Sequence, residues 1–220
     1  MTLNYAQIDS LIESLLDNAK ALIFEAETLN SVSAYARAFA LAHLAREEIS
    51  KCGILHAAGT RLLAGIEVDW KKTMRRLRDH KAKLELETVN QFLFVGAESK
   101  LAAVPSIVEH RNDRKNAAIY VGLINGKAVL PSQVFTENQA ARTIELAKFA
   151  LETEEKIRLT VGQFVARTPG PIRGLPDLNQ LTPEQMKELI ERVGPSYKLI
   201  LQKLFATQTV TSNQDAVAEP

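Results

Sequence analysis

Residues 34–58 read AYARAFALAHLAREEISKCGILHAA and predict one long helix that carries charges among its apolar residues. Because successive helical residues are about 100° apart, charged residues and leucines lie together on one narrow face of this helix: Arg37, Leu41, Leu44, Glu48, Lys51 and Leu55. A charge on an apolar face must be paired or functional. We therefore expect Arg37, Glu48 and Lys51 to form a network that faces the next helix. Ordinary pairs one turn apart on a solvated surface, from Glu47 or Glu48 to Lys51, are the alternative.

Helical periodicity extends to both sides of this segment. Upstream, Asn4 and Gln7 are placed like a capping box ahead of a helix. Its apolar stripe recurs at three- and four-residue steps: Ile8, Leu11, Ile12, Leu15, Leu16, Ala19, Leu22 and Ile23. Downstream, a third helix is expected to start near Asp69 and to continue towards Lys100. The three helices together predict an antiparallel bundle core.

The ends of the second helix are predicted from residues that cap or stop helices. Asn30 or Ser31 can cap its start, and Gly59 or Gly65 can end it. Proline does not interrupt any of the three helices, because Pro105 is the first of the eight prolines in the chain.

The stretch 105–135 departs from the helical pattern. Residues 118–121, Ala-Ile-Tyr-Val, are β-prone, and Asn125-Gly126 is a turn signal. We expect a small hairpin or extended excursion there.

The C-terminal part of the chain divides into shorter pieces. Helix returns from Thr136, with Gln139 in the capping-box position, to about Phe164, and Thr182-Pro183 is a further helix start. The expected fold is all-α, an antiparallel helical bundle with the excursion and a C-terminal helical appendage. The predicted organisation is a helical domain over 1–166, a linker over 167–181, the appendage over 182–206 and a disordered tail over 207–220.

Composition excludes several classes of protein and site. The 220 residues include 27 Lys+Arg and 26 Asp+Glu, a net charge of +1, so the chain as a whole is neither strongly basic nor acidic. A single cysteine, Cys52, rules out an internal disulfide and fits a cytoplasmic protein. No signal peptide, membrane span or membrane partner is expected. The sequence has no C-x-x-C, no G-x-G-x-x-G, no phosphate loop and no E-x-x-H, so we expect neither metal nor cofactor.

The near-neutral average hides a concentrated basic strip between Lys71 and Lys83. Seven basic residues face one acid, Asp79, which gives this strip a charge of +6 and leaves −5 for the rest. The basic residues are Lys71, Lys72, Arg75, Arg76, Arg78, Lys81 and Lys83. A solvated helix face is the ordinary interpretation. The functional interpretation is RNA docking, for which we expect Lys71, Lys72, Arg78 and Lys81.

His80, inside this strip, is the candidate for acid–base chemistry. An imidazole can act on an RNA 2′-hydroxyl, and arginine can neutralise the phosphate, without a metal. Arg75 precedes His80 by five residues, but on a straight helix the two point about 140° apart, whereas Arg76 lies one turn from His80 on the same side. Either the helix is irregular here, or Arg76 is the working arginine.

The remaining candidates have ordinary structural interpretations. The other three histidines, His43, His56 and His110, lack ligand-like partners and are expected to be structural or exposed. Trp70 and Tyr120 are expected to pack rather than to stack on bases. Cys52 is expected to be a small core residue.

Three strings together resemble the AbiV-type abortive-infection family of the HEPN superfamily. They are Ser33–Ala38, Leu44–Lys51 with its E-E-x-x-K, and the H-x-x-K of His80–Lys83. Arg114, Tyr120-Val121 and Pro131 also match, so the resemblance covers roughly residues 5–165. It implies a HEPN-like helical bundle and a bacterial phage-defence protein.

The resemblance also implies roles for particular residues. Many HEPN relatives are metal-independent ribonucleases with an Arg-x4–6-His motif that is often assembled across a homodimer. Carried over, His80 is the acid/base, Arg75 binds the phosphate, and Glu48 and Lys51 form a supporting pair. The chain departs from the family pattern twice: Arg76 replaces a small polar residue and Gly122 replaces an aspartate.

We therefore expect a toxin-like phage-defence protein that cleaves RNA and arrests growth or translation, with RNA and a phage-encoded or host protein trigger as partners. A polar network is expected to support the site: Arg37, Glu47, Glu48, Lys51 and Lys83. Glu47 and Glu48 can neutralise part of the basic strip inside the fold or across a dimer.

One alternative is a non-catalytic helical module that binds a phage or host protein, or RNA, and blocks translation. The other is a buried polar network of Arg37, Glu48, Lys51 and His80 with only a structural role.

Overall fold

The computed structural model describes residues 2–94 and 98–170, which are mostly helical. The helices, in chain order, are α1 Tyr5–Ser31, α2 Tyr35–Leu63, α3 Trp70–Arg78, α4 His80–Phe94, α5 Val104–Ile119 and α6 Glu137–Val161. Strands β1 Gly122–Ile124 and β2 Lys127–Val129 form one antiparallel hairpin. The prediction of an all-α fold with a small hairpin is confirmed.

The chain divides into two compact units. The first comprises Met1–Val89 and Ala102–Pro171. The second comprises Asn90–Leu101 and Ile172–Pro220. Most of the predicted linker (167–181), and all of the predicted appendage (182–206) and tail (207–220), lie outside the described residues.

Local capping signals set the start of α1 and the end of α2 as predicted, but not the start of α2. Of the two glycines predicted to end α2, Gly65 does so: it has φ 70°, and α2 ends at Leu63. Asn4 and Gln7 form the capping box, with the Gln7 amide donating to Asn4 Oδ1 at 2.9 Å. The prediction that Asn30 or Ser31 caps α2 is wrong, because both residues belong to the last turn of α1. A three-residue connection follows instead, in which Ser33 has φ 63°.

The core is a bundle of α1, α2 and α6. Its central layer consists of alanines and isoleucines: Ala19, Ile23, Ala26, Ala38, Ala42, Ala45, Ile49, Ala140, Ile144 and Ala147. A second layer joins the start of α1 to the end of α2 and to Phe164. The predicted bundle of the first three helices is therefore corrected: α6 takes the third place, and α3 packs on the second layer through Trp70, Met74 and Leu77.

The predicted continuous helix from Asp69 towards Lys100 is interrupted at Asp79. Asp69 caps α3 as expected, accepting the Lys72 amide at 2.9 Å. Asp79 then takes an extended conformation with ψ 114°, and its carboxylate accepts the Lys81 amide at 2.9 Å. The aspartate therefore ends one helix and caps the next.

The stretch 105–135 contains more helix than predicted. Residues 105–119 lie in α5, since Pro105 falls in the first turn, where a missing amide hydrogen is tolerated. The hairpin is present beyond it, with Asn125 at φ 51° and Gly126 at φ 77° in the turn. The expected packing role of Tyr120 is wrong, because this side chain is 66% exposed.

None of the helices in residues 2–94 and 98–170 is both long enough and apolar enough to cross a bilayer.

A buried carboxylate fastens the chain after α6 to the start of α1. Asp9 accepts the Phe164 amide and the Val165 amide, each at 3.0 Å, and lies 3.3 Å from Arg158 Nη1. These contacts seat the Phe164 ring, which is 1% exposed, in the second core layer. Asp9 therefore closes the bundle across 155 residues of chain.

We expect Asp9→Ala to lower the free energy of unfolding by about 2–3 kcal/mol, because two buried amides lose a charged acceptor. Asp17→Ala is the control on the same helix, since its side chain is 80% exposed; we expect a change within about 0.5 kcal/mol. Urea unfolding measures both. Equal losses in the two variants would contradict the role of Asp9.

Candidate functional site

A buried carboxylate on α2, Glu47, collects partners from two other helices. From α4, His80 Nδ1 lies 2.5 Å and Lys83 Nζ 3.0 Å from Oε2. From α5, Lys115 Nζ lies 3.1 Å from Oε1. His80 and Lys83 are one turn apart on the same face of α4, so both reach the carboxylate.

The environment of Glu47 keeps this buried side chain ionised. Burial alone would raise the pKa of Glu47, but hydrogen bonds from His80 and Lys83 and the charge of Lys115 lower that pKa to about 2. At neutral pH the carboxylate can therefore only accept hydrogen bonds. His80 Nδ1 must accordingly be the donor in its contact with Glu47.

His80 combines this buried anchor with an accessible ring. Its side chain is 55% exposed, whereas that of Glu47 is 1% exposed. Within the described part of the chain, Nε2 of His80 has no hydrogen-bond partner. The ring therefore presents Nε2, the nitrogen left free by the Glu47 contact, to a ligand as a proton acceptor.

A second carboxylate, Glu87, lies one turn beyond Lys83 on α4 and binds two arginines. Arg46 Nε donates to Glu87 Oε1 at 2.9 Å, and Arg111 of α5 contacts the other carboxylate oxygen. Arg111 also donates to Thr88 Oγ1 at 2.8 Å. Burial lowers the pKa of Arg111, whereas the Glu87 charge raises it.

The two carboxylates and their partners carry an excess of positive charge. Glu47 and Glu87 contribute two negative charges, against four positive charges on Arg46, Lys83, Arg111 and Lys115. The surplus is +2 before His80 is counted. A surplus of cations beside an accessible imidazole suits an anionic ligand.

A further histidine, His43, lies inside this cluster. It is 2% exposed, and its Nε2 is 3.6 Å from Glu47 Oε1. Burial, with a smaller contribution from the charge of Arg111, lowers the pKa of His43 to about 3. His43 is therefore a neutral structural histidine at physiological pH, in line with its predicted structural role.

The predicted network of Arg37, Glu48 and Lys51 is not brought together. Glu48 and Lys51 form their own pair at 2.6 Å, each about one-fifth exposed. Arg37 is exposed and lies eleven residues, or about 16 Å along the helix, from Glu48. The residue that reaches His80 is the neighbouring Glu47, on the other face of α2.

Lys83 is the one buried cation of the basic strip, and the other six are exposed or half-buried. Arg75 is exposed and Arg76 half-buried, and within residues 2–94 and 98–170 neither forms an ion pair or a hydrogen bond to His80. The predicted RNA-binding residues are all exposed: Lys71, Lys72, Arg78 and Lys81. Of the seven basic residues, only Lys83 is neutralised by an acid in the described part of the chain.

Four residues of the cluster were missed by sequence reasoning: Arg46, Glu87, Arg111 and Lys115. Glu87 follows Lys83 by four residues and so shares its helix face. Arg111 and Lys115 have the same spacing, but only a helix at residues 105–119 makes that spacing meaningful. Arg46 directly precedes Glu47 in the sequence.

Arg114, part of the family resemblance, packs against aromatic rings. Its guanidinium lies 4.3 Å from the Phe135 ring centre and 5.6 Å from that of Phe39. This arrangement is a cation–π contact between α5, α2 and the segment before α6. It does not involve His80.

The E-E-x-x-K string and the H-x-x-K string thus meet at one carboxylate, Glu47. The sequence model of the AbiV family of HEPN domains matches residues 7–152. The chain belongs to this family. AbiV membership indicates a role in abortive infection, a form of phage defence. No curated protein and no solved structure matches the chain.

In the part of the chain that the structure describes, no three His, Cys, Asp or Glu side chains are grouped to hold a metal ion. Cys52 is buried, as predicted, and burial raises the pKa of its thiol.

We expect the stability of the AbiV protein to fall between pH 7 and pH 5 because His43 stays neutral in the fold. Its pKa is about 3 folded and 6.5 unfolded, so the unfolded chain gains a proton that the folded chain does not. This difference costs about 2 kcal/mol of unfolding free energy over that range. Glu47 does not contribute there, since its stabilising effect is lost only as the pH falls below about 4.5 towards 2.

Urea unfolding at both pH values, for wild type and His43→Gln, measures this dependence. The variant lacks the titrating ring and should lose about 2 kcal/mol less than wild type. His110→Gln, at an exposed histidine, should behave like wild type. If His43→Gln keeps the full wild-type dependence, the buried neutral histidine is not its origin.

Proposed function

We propose that this AbiV protein is a metal-independent ribonuclease that arrests growth or translation in phage infection, with His80 as its general base. The single observation that carries the proposal is the His80–Glu47 contact. A buried, ionised carboxylate fixes Nδ1 of a half-exposed imidazole and leaves Nε2 directed to ligand. Orientation of an imidazole by a buried carboxylate is a known arrangement for acid–base catalysis.

The proposed reaction is transfer of the RNA phosphate to the adjacent 2′-oxygen. Nε2 of His80 accepts the 2′-hydroxyl proton, the 2′-oxygen forms a bond to phosphorus, and the bond to the 5′-oxygen breaks. The leaving 5′-oxygen takes a proton from water. Glu47 stabilises the imidazolium that forms, and the surplus positive charge around it favours the phosphate. The products are a 2′,3′-cyclic phosphate and a 5′-hydroxyl.

The proposal includes the partners expected for such an enzyme. RNA docks along the exposed cations of the basic strip, and Arg75 or Arg76 binds the scissile phosphate, in a homodimer where a partner copy completes the site. A phage-encoded or host protein is the trigger, and the protein acts in the cytoplasm. The support for RNA docking is the set of exposed cations that have no acidic partner among the described residues: Lys71, Lys72, Arg78 and Lys81.

A non-catalytic function has one observation in its favour. Neither Arg75 nor Arg76 forms a hydrogen bond to His80 within the described chain, so no arginine is joined to the proposed base in a single copy. In this second proposal the basic strip binds RNA or a protein and blocks translation by occupancy. Charge reversal in the strip would then abolish toxicity, and loss of the His80 ring would not.

For the enzyme, we expect His80→Ala to lower the rate of RNA cleavage by roughly 10²–10⁴-fold, the usual contribution of a general base. Purified protein is incubated with labelled RNA in the presence of EDTA, and the cleaved ends are identified. Wild type should give 2′,3′-cyclic phosphates at an unchanged rate with EDTA. Induced expression with total RNA integrity as readout repeats the comparison in cells.

His110→Ala is the matched control, because it removes an exposed histidine from α5 in the same protein. Its cleavage rate and toxicity should equal those of wild type. Cleavage that persists in His80→Ala, or toxicity without any RNA cleavage by wild type, would contradict the ribonuclease proposal. The second outcome, combined with loss of toxicity on charge reversal, would support the binding module.

A further inference from the structure

A groove of about 660 Å³ lies beside α3, and none of its lining residues contacts Glu47. Its volume is in the range of pockets that hold small organic ligands. It is lined by Thr2, Trp70, Lys71, Met74, Arg75 and Arg78. The groove is therefore separate from the cluster around His80 and requires its own explanation.

One wall of the groove is a row of three cations. Lys71, Arg75 and Arg78 are spaced by four and three residues, so they share one face of α3 with neighbouring Cβ atoms about 5–6 Å apart. All three are exposed, and none has an acidic partner among the residues that the structure describes. No acidic residue is among those lining the groove. This wall therefore fits a ligand with successive negative charges.

The floor of the groove is apolar and held by the core. Trp70 and Met74 are half-buried and pack against the second core layer, together with Leu77. Packing fixes the indole of Trp70 while part of it remains accessible in the groove. The groove thus combines a fixed aromatic surface with cations one helical turn apart.

We propose that this groove binds a nucleotide unit of single-stranded RNA, with the base on Trp70 and the backbone phosphates on Lys71, Arg75 and Arg78. A basic groove with an aromatic surface is the combination that binds single strands without sequence preference. Base faces are accessible only where the strand is unstacked, so a duplex does not fit. An acidic peptide would use the cations and leave the indole unused.

The inference deepens the proposed function and rests on it for the identity of the ligand. It gives Arg75 a role in binding RNA beside Trp70, rather than in the reaction at His80. Arg76, one residue on, is not among the groove residues. The arginine next to the reacting phosphate is then Arg76 or a residue of a second copy.

Trp70 is the only tryptophan in the chain, so its fluorescence reports on the groove alone. The probe is a short single-stranded 2′-O-methyl oligonucleotide, which has no free 2′-hydroxyl and cannot be cleaved by the proposed reaction. Titration of wild type should change the emission of Trp70 in a saturable way. The affinity should fall as salt rises, because phosphate contacts release counterions.

Arg75→Glu should weaken binding at least about ten-fold, since it replaces a charged hydrogen-bond donor to phosphate by a repelling group. Lys127→Glu is the control: it reverses the charge of an exposed lysine on β2 that neither lines the groove nor belongs to the basic strip. Its effect should be less than about three-fold.

Trp70→Leu keeps an apolar floor and should weaken binding about five-fold or more, measured by anisotropy of a labelled probe. Thermal melting of each variant verifies that it is folded.

Three results would overturn the inference: no saturable change in Trp70 emission, equal losses for Arg75→Glu and Lys127→Glu, or full competition by polyglutamate at equal charge. The last two would indicate a diffuse electrostatic or acidic-protein surface. Failure of the ribonuclease proposal looks different, since binding is measured without cleavage. Groove binding with no RNA cleavage contradicts only the ribonuclease, and His80-dependent cleavage without groove binding contradicts only the groove.

Discussion

The ionised carboxylate of Glu47, buried in the middle of α2, constrains the arrangement of the helices around it. A buried charge without partners costs several kcal/mol, so this side chain requires cations at hydrogen-bond distance. Lys83 of α4 and Lys115 of α5 provide them, and His80 adds a third contact. The electrostatic requirement of one side chain therefore ties three helices together. It also fixes the ring that we propose as the catalytic base.

The interruption at Asp79 allows the basic strip to serve two purposes. In a continuous helix, Arg76, His80 and Lys83 would share one face, and the arginine would be directed with the others towards α2. With the interruption, α4 directs His80 and Lys83 to Glu47, while α3 packs Trp70 on the core and exposes all its cations except the half-buried Arg76. The strip is thus divided into a part neutralised inside the fold and a part available to an anionic partner.

Local signals in the sequence predicted well those elements that depend on neighbouring residues. The capping boxes at Asn4 and Thr136 and the turn at Asn125-Gly126 are satisfied within three or four residues, so no knowledge of the tertiary fold is needed. The end of α3 at Asp79 has no proline or glycine to mark it. The helix at 105–119 was missed because Pro105 suggested a boundary, although proline is compatible with a first turn.

The candidate site was predictable only in part, because a helical wheel orders residues around an axis without saying which face meets which partner. The leucine stripe directed attention to Glu48, but Glu47, the residue before it, faces α4 and α5. Lys115 and Arg111 come from a helix that the sequence did not predict. The family strings placed His80 and the acidic pair in one site, but the choice of carboxylate needed the packing of three helices.

The central claim is that Glu47 holds Nδ1 of His80 and leaves Nε2 free, and nitrogen-15 NMR of the imidazole ring tests it most directly. In the neutral ring, the single nitrogen-bound proton should be on Nδ1 in wild type, because an ionised Glu47 can only accept. The proton should no longer be confined to Nδ1 in Glu47→Gln, whose amide can either accept or donate. A wild-type ring protonated on Nε2 would contradict the account.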